Sequence, residues 1–157
     1  LKSLNLIKND FEFEARIVGR GKLKKKLQNY INNQNLRKNV KILDFVDNPY
    51  PLIKQSNLFV LTSKFEGLPN VLLESLVLRK FVISSNCQTG PKEILLNGKG
   101  GLLFKVGDYK ELASKIRYYF FNKKNCQKLS TRAYKSLNRF DYKKNLKEYE
   151  NLVRSQF

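Results

Sequence analysis

Ser63-Lys64-Phe65-Glu66-Gly67-Leu68-Pro69-Asn70-Val71-Leu72-Leu73-Glu74-Ser75-Leu76 is the stretch whose reading decides the fold. The apolar run 57–62 before it reads as a buried strand. A turn carrying Glu66 and Gly67 follows, and a helix opens at Pro69 or Asn70, since proline suits a first helical turn. Val71, Leu72, Leu73, Leu76, Val77 and Leu78 make that helix apolar nearly all round, which predicts burial. Glu74 sits inside it. A carboxylate there costs several kcal/mol, roughly, unless something pairs with it or hydrogen-bonds to it. Two acids eight positions apart are therefore predicted to face one space at the end of a strand.

The totals bound what surrounds this stretch. With 157 residues, 41% of them hydrophobic and 28% charged, the chain reads as one soluble domain with a real core. No apolar run approaches the roughly 18 residues needed to cross a bilayer. No signal peptide is visible, and Cys87 and Cys126 stand far apart outside any metal-ligand or redox motif. Idle thiols of this kind point to a reducing compartment, so the expected location is cytoplasmic. The chain has no histidine, which excludes the usual zinc sites and any His-based triad. A net charge of +18 fits an anionic partner or a compositional bias toward lysine. The chain starts at Leu1 and has no methionine, which reads as a piece of something longer.

Taken in order, the pattern alternates strands and helices. Residues 1–9 read as the tail of a helix, and 11–18 as a strand. Gly19-Arg20-Gly21 is a turn, and Leu23, Leu27, Tyr30 and Ile31 fall at helical spacing after it. Strands are predicted at 40–46, 57–62, 81–85 and 101–104. Helices are predicted at 49–56, from 69 to 78, at 90–96 and from 108 onward, where Asp108 and Glu111 resemble a capping box. Beyond residue 122 all is helical, with one stripe at Cys126, Leu129, Ala133 and Leu137. Tyr142, Leu146, Tyr149 and Val153 make another. The reading is an α/β fold, a doubly wound parallel sheet over about 11–121 with trailing C-terminal helices over about 122–157. Ligands of such sheets bind outside the carboxyl ends of the strands, where the Glu66 loop lies.

The chemistry of that loop is mixed. Backbone N–H groups from Gly67 to Val71, at a helix N-terminus, attract an anion such as a diphosphate. Glu66 and Glu74 repel anions and suit hydroxyl groups; a carboxylate accepts two hydrogen bonds from a vicinal diol. Diphosphate plus diols describes a sugar nucleotide. From the residues alone, a surface turn acid and a partly exposed helical acid remain an equal alternative.

Ser63-x-x-Glu66-Gly67-Leu68-Pro69-Asn70-Val71-x-x-Glu74 resembles the E-x7-E region of retaining glycosyltransferases of the two-lobed GT-B fold, family four or group 1. The resemblance continues through Val82-Ile83-Ser84-Ser85-Asn86-Cys87, Thr89-Gly90-Pro91-x-Glu93-Ile94-Leu95, Gly98-x-x-Gly101-x-Leu103-Phe104 and Gly107-Asp108. It implies the Rossmann-like C-terminal lobe that binds a nucleotide sugar, with UDP as the default nucleotide by family habit. By resemblance, Glu74 holds the ribose hydroxyls, and Glu66 contacts the donor sugar, helps arrange transfer and is the catalytic residue. Gly67, Leu68, Pro69, Asn70 and Val71 then lie along the sugar and diphosphate. Such enzymes retain anomeric configuration, need no cofactor and typically no metal, and pass the sugar to a glycan or lipid-linked acceptor.

Departures from the pattern qualify this. Arg79 and Phe81 stand where the family usually has Gly and Pro; an arginine capping the helix in a left-handed conformation costs roughly 1 kcal/mol against glycine. The acceptor-binding N-terminal lobe is missing, as is the central strand that carries the family's Gly-Arg and Lys phosphate contacts. Arg20 and Lys22, beside a glycine turn, are candidate phosphate contacts but do not stand where that pair stands. The expectation is a single incomplete lobe, 1–157, with little or no activity alone. Its basic surface is expected to favour peripheral contact with an anionic membrane on the cytoplasmic face. The rival readings are a non-catalytic remnant and a nucleic-acid-binding domain, the latter using basic tracts at 22–26 and 117–124 with Tyr118, Tyr119, Phe120 and Phe121 for stacking. No nucleic-acid partner is expected on the first reading.

Overall fold

Among the described residues the apolar runs become five parallel strands that divide into two groups. A computed structural model describes residues 1–155; positions 156 and 157 of the helical segment 122–157 lie outside the described residues. Strands β1 (Ala15–Val18) and β2 (Val40–Leu43) pair in parallel, Ala15 opposite Val40 through Val18 opposite Leu43. A second parallel group has the order β3 (Leu58–Leu61), β4 (Phe81–Ser85), β5 (Leu102–Phe104). All five residues of β4 are buried, as a central parallel strand covered on both faces requires.

Alternation along β4 shows both coverings. Phe81 and Ile83 join a core with Ile7, Leu112, Ile116 and Cys126, beneath helices α1 (Lys2–Ile7) and α6 (Tyr109–Phe121). Val82 faces the opposite core of Leu72, Leu76, Ile94, Leu95 and Ala133, built by α4 (Asn70–Val77), α5 (Pro91–Ile94) and α7 (Lys123–Lys135). The polar end of β4 is satisfied locally: Ser85 Oγ donates to the Ser63 carbonyl at 2.6 Å. A third core of Ile31, Leu36 and Val40 joins β1 and β2 to α2 (Lys24–Asn33). Helix α3 (Tyr50–Gln55) leads into β3. Arg117 on α6 ties down α1, bonding Asp10 at 2.6 Å and the Leu6 carbonyl at 2.8 Å.

Strands β1 and β3 each pair along one edge only. Both line one groove of about 440 Å³, whose walls include Ala15, Arg16 and Val18 from β1 and Leu58, Phe59 and Val60 from β3. The edges of the two sheet groups therefore face a shared apolar cleft, closed below by Ile7, Ile53 and Ile116.

Several sequence boundaries move for visible reasons. The first strand begins at Ala15 rather than at 11, because Phe11 stacks on Phe120 with ring centroids 4.0 Å apart. Helix α4 is buried on one side only: Leu72, Ser75 and Leu76 are inside, while Val77 is 58% exposed. The helix after Gly90 stops at Ile94, and a 3-10 turn, Leu96–Gly98, follows with Leu96 and Asn97 at positive φ. Helix α8 (Tyr142–Arg154) buries none of its residues, so the stripe of Tyr142, Leu146, Tyr149 and Val153 lies uncovered.

Candidate functional site

The loop between β3 and α4 stands at the carboxyl ends of β3 and β4. The turn between β4 and α5 holds it. Thr89 Oγ1 donates to the Glu66 carbonyl, and Ser85 Oγ to the Ser63 carbonyl. Gly90 adopts φ +82 and packs so closely that an added Cβ would collide with the Gly67 carbonyl oxygen and stand 2.5 Å from Pro69 Cδ. No L side chain fits there, and φ itself selects glycine. Ser85, Thr89 and Gly90 thus clamp the Glu66 loop from behind. In the sequence all three fall in the motif that follows the Glu66 stretch. Their signal was the glycine before a helix-opening proline.

Glu66 and Glu74 are both half-buried, Glu66 in the loop and Glu74 in the second turn of α4. Two other acids among the described residues are half-buried, Asp108 and Glu111. Those two are fully engaged. Asp108 accepts from the Lys110 and Glu111 amides at 3.0 and 2.8 Å, and Glu111 accepts from the Lys105 amide at 2.7 Å and meets Lys115 at 3.5 Å. Glu66 and Glu74, by contrast, have no side-chain hydrogen bond or ion pair among the described residues. In a chain of 31 basic and 13 acidic residues, two half-buried carboxylates without a cation are two sets of free acceptors.

Around them the donors are also unspent. Pro69 precedes α4 with no side-chain cap, and the Asn70 and Val71 N–H groups find no partner among the described residues. These are the orphan donors of a helix start, with the positive end of its dipole. Gly67 differs from Gly90: its φ is ordinary and a Cβ there would meet nothing within 4 Å. Neither backbone strain nor internal packing demands glycine at 67, which leaves room for close approach of a ligand to the backbone. Leu68 is 49% exposed and Pro69 is buried.

Arg20 and Lys22 follow β1 and are exposed, with Arg20 stacked over Phe45 at 4.7 Å. Neither bonds to residues 66–74 among the described residues, so the structure does not join them to the two acids. Elsewhere, Lys41 and then Arg16 hold the Glu14 carboxyl below its ordinary value by hydrogen bonding. Burial raises the Tyr119 hydroxyl and the Cys126 thiol. Among the described residues no three His, Cys, Asp or Glu side chains group as metal ligands, and no helix is long and apolar enough to cross a membrane. Two of the aromatic residues 118–121 are stacked within the fold, Tyr119 on Phe81 and Phe120 on Phe11, while Phe121 is 70% exposed.

Comparison with known proteins gives a consistent result. The model of the family "Glycosyl transferases group 1" matches residues 1–136. An uncharacterized glycosyltransferase of Methanocaldococcus jannaschii is 52% identical over 79 residues, half of this chain and 20% of that protein. The N-acetylgalactosamine-N,N'-diacetylbacillosaminyl-diphospho-undecaprenol 4-alpha-N-acetylgalactosaminyltransferase of Campylobacter jejuni is 37% identical over 90 residues, 57% of this chain and 25% of that one. The crystal structure of Anabaena HepE in complex with UDP superposes with a TM-score of 0.86 at 22% identity, covering 98% of this chain and 43% of HepE. The chain thus spans a fifth to a quarter of these curated relatives.

Proposed function

The chain belongs to the group 1 glycosyl transferases, and on that premise we propose that it is the donor-binding part of an enzyme that moves a sugar from a nucleotide sugar to a glycan or lipid-linked acceptor with retention. The observation that carries this reading is the pair of half-buried, unpartnered carboxylates, Glu66 and Glu74, beside an uncapped helix start. UDP is the proposed nucleotide, supported by the HepE structure that holds it on the same fold.

On this reading Glu74 accepts two hydrogen bonds from the ribose diol. Glu66 accepts from hydroxyls of the donor sugar and fixes the anomeric carbon for attack. The amides from Gly67 to Val71 and the positive end of α4 lie along the sugar and diphosphate and stabilise the leaving group as its bond to the sugar breaks. The new bond forms on the face the diphosphate leaves, so configuration is kept. No metal is assigned a role, and transfer is expected to be unchanged by chelation.

The basic half of the site is proposed to come from polypeptide beyond this chain. A further strand in the cleft between β1 and β3 would complete both open edges and join the two sheet groups. The uncovered stripe of α8 is then proposed to pack on the acceptor-binding lobe. The +18 charge would draw the assembly to an anionic membrane surface. The chain alone is accordingly expected to bind donor weakly and to transfer nothing. Saturation-transfer NMR with a UDP-sugar tests the binding: the wild-type chain should show transfer to the ribose protons, and Glu74→Ala should lose it. Equal signals from both would remove the role given to Glu74.

A further inference from the structure

A second groove, of about 290 Å³, opens at the other end of the sheet. Asn57 just before β3 and Phe81 at the start of β4 line it, together with Arg79 and the α6–α7 residues Tyr119, Lys123, Cys126, Gln127, Ser130, Thr131 and Tyr134. It therefore lies at the amino ends of the strands, away from the Glu66 loop at their carboxyl ends. Among the described residues its lining holds two cations and no carboxylate.

Arg79 is the unusual member. It ends α4 in the left-handed region, φ 56, where its N–H bonds the Leu76 carbonyl and the Lys80 N–H bonds the Ser75 carbonyl, both at 2.9 Å. A glycine would hold that corner without strain. The guanidinium lies over the Tyr134 ring at 3.9 Å. Among the described residues it makes no hydrogen bond or ion pair, so the donors on its edge stay open. Lys123, also unpaired among the described residues, sits 5.4 Å from the Phe120 ring and 6.0 Å from the Tyr119 ring, and the latter is stacked on Phe81 at 5.2 Å. Arg79 and Phe81, the two positions that depart from the glycine and proline of the family pattern, thus both line one groove.

We propose that this groove binds a small phosphate-bearing anion, at a site separate from the one around Glu66 and Glu74. A guanidinium presents paired donors that match two phosphate oxygens, and an ammonium adds a point charge that needs no fixed direction. Tyr134 orients the guanidinium from its face and leaves its edge for the anion. No carboxylate among the described lining residues competes for the arginine.

Titration of the purified, ¹⁵N-labelled chain with inorganic phosphate, at ionic strength held constant with chloride, tests this. Saturable amide shifts are expected around 79–81 and 123–134, with residues 66–74 unmoved. Arg79→Gly should weaken the binding by about tenfold or more while leaving the melting temperature unchanged or raised, because glycine accepts the left-handed φ. Lys123→Gln, on an exposed helix position, should weaken it in the same direction and serves as the readout should Arg79→Gly lower the melting temperature. Absence of saturation in the wild type, or undiminished phosphate affinity in Lys123→Gln and in a folded Arg79→Gly, would overturn the proposal. The second result would mean that phosphate senses only the general positive field of the chain.

Discussion

Two pairs of half-buried acids differ in one respect. Asp108 and Glu111 open α6, and their oxygens meet three backbone amides and a lysine. Glu66 and Glu74 flank the start of α4 and meet nothing among the described residues. The first pair is spent on folding. The second sits on a scaffold that stabilises its backbone and, among the described residues, leaves its side chains unbonded: Thr89 Oγ1 bonds the Glu66 carbonyl, and Gly90 packs against the Gly67 carbonyl and the Pro69 ring. Acids of similar burial can therefore be sorted by what their oxygens already touch.

Substitutions should separate the two pairs, and the largest separation is expected in transfer itself. In the complete enzyme, Glu66→Ala should lower the transfer rate by about a hundredfold or more, read from product formation, whereas Asp108→Ala should leave the rate unchanged. A comparable loss in both variants would erase the distinction. Next in size, Gly90→Ala should destabilise the chain by about 2–3 kcal/mol, since it combines backbone strain with a collision at the Gly67 carbonyl. Chemical denaturation would measure this, and Gly67→Ala, at ordinary φ with open space, should shift the midpoint little. A smaller effect of about 1 kcal/mol is expected for Asp108→Ala, the loss of an N-cap. Smallest, and opposite in sign, Glu74→Gln should leave the melting temperature unchanged or slightly raised, because a half-buried carboxylate with no partner loses its charge. A clear fall in melting temperature for Glu74→Gln would show that Glu74 is structural after all.

Much of the fold was legible because buried parallel strands read as unbroken apolar runs. Residues 81–85 form a strand with the boundaries expected, and Asp108 caps its helix, although Glu111 turns to the Lys105 amide instead of completing a reciprocal capping box. Less legible were features set by contacts distant in sequence. The alternation at Phe11 and Phe13 imitated a strand, but Phe11 is claimed by Phe120, more than a hundred positions away. The division of the strands into two groups also depends on which edges meet, which no local pattern states. At the site, the two acids and the helix start were visible in the sequence. The clamp behind them was not, because hydrogen bonds to main-chain carbonyls leave only a threonine and a glycine as their trace. The Arg79 groove was likewise hidden: its walls come from the end of α4, the start of β4 and helices 40 or more residues later.

The unpartnered acids and open amides around α4 are proposed to receive the nucleotide sugar. Amide-shift mapping of the ¹⁵N-labelled chain with a UDP-sugar tests it most directly, since weak binding suffices to move resonances. The largest shifts are expected from Glu66 through Glu74, sharply reduced in Glu74→Ala. Shifts centred elsewhere, with 66–74 unmoved in the folded wild-type chain, would contradict it.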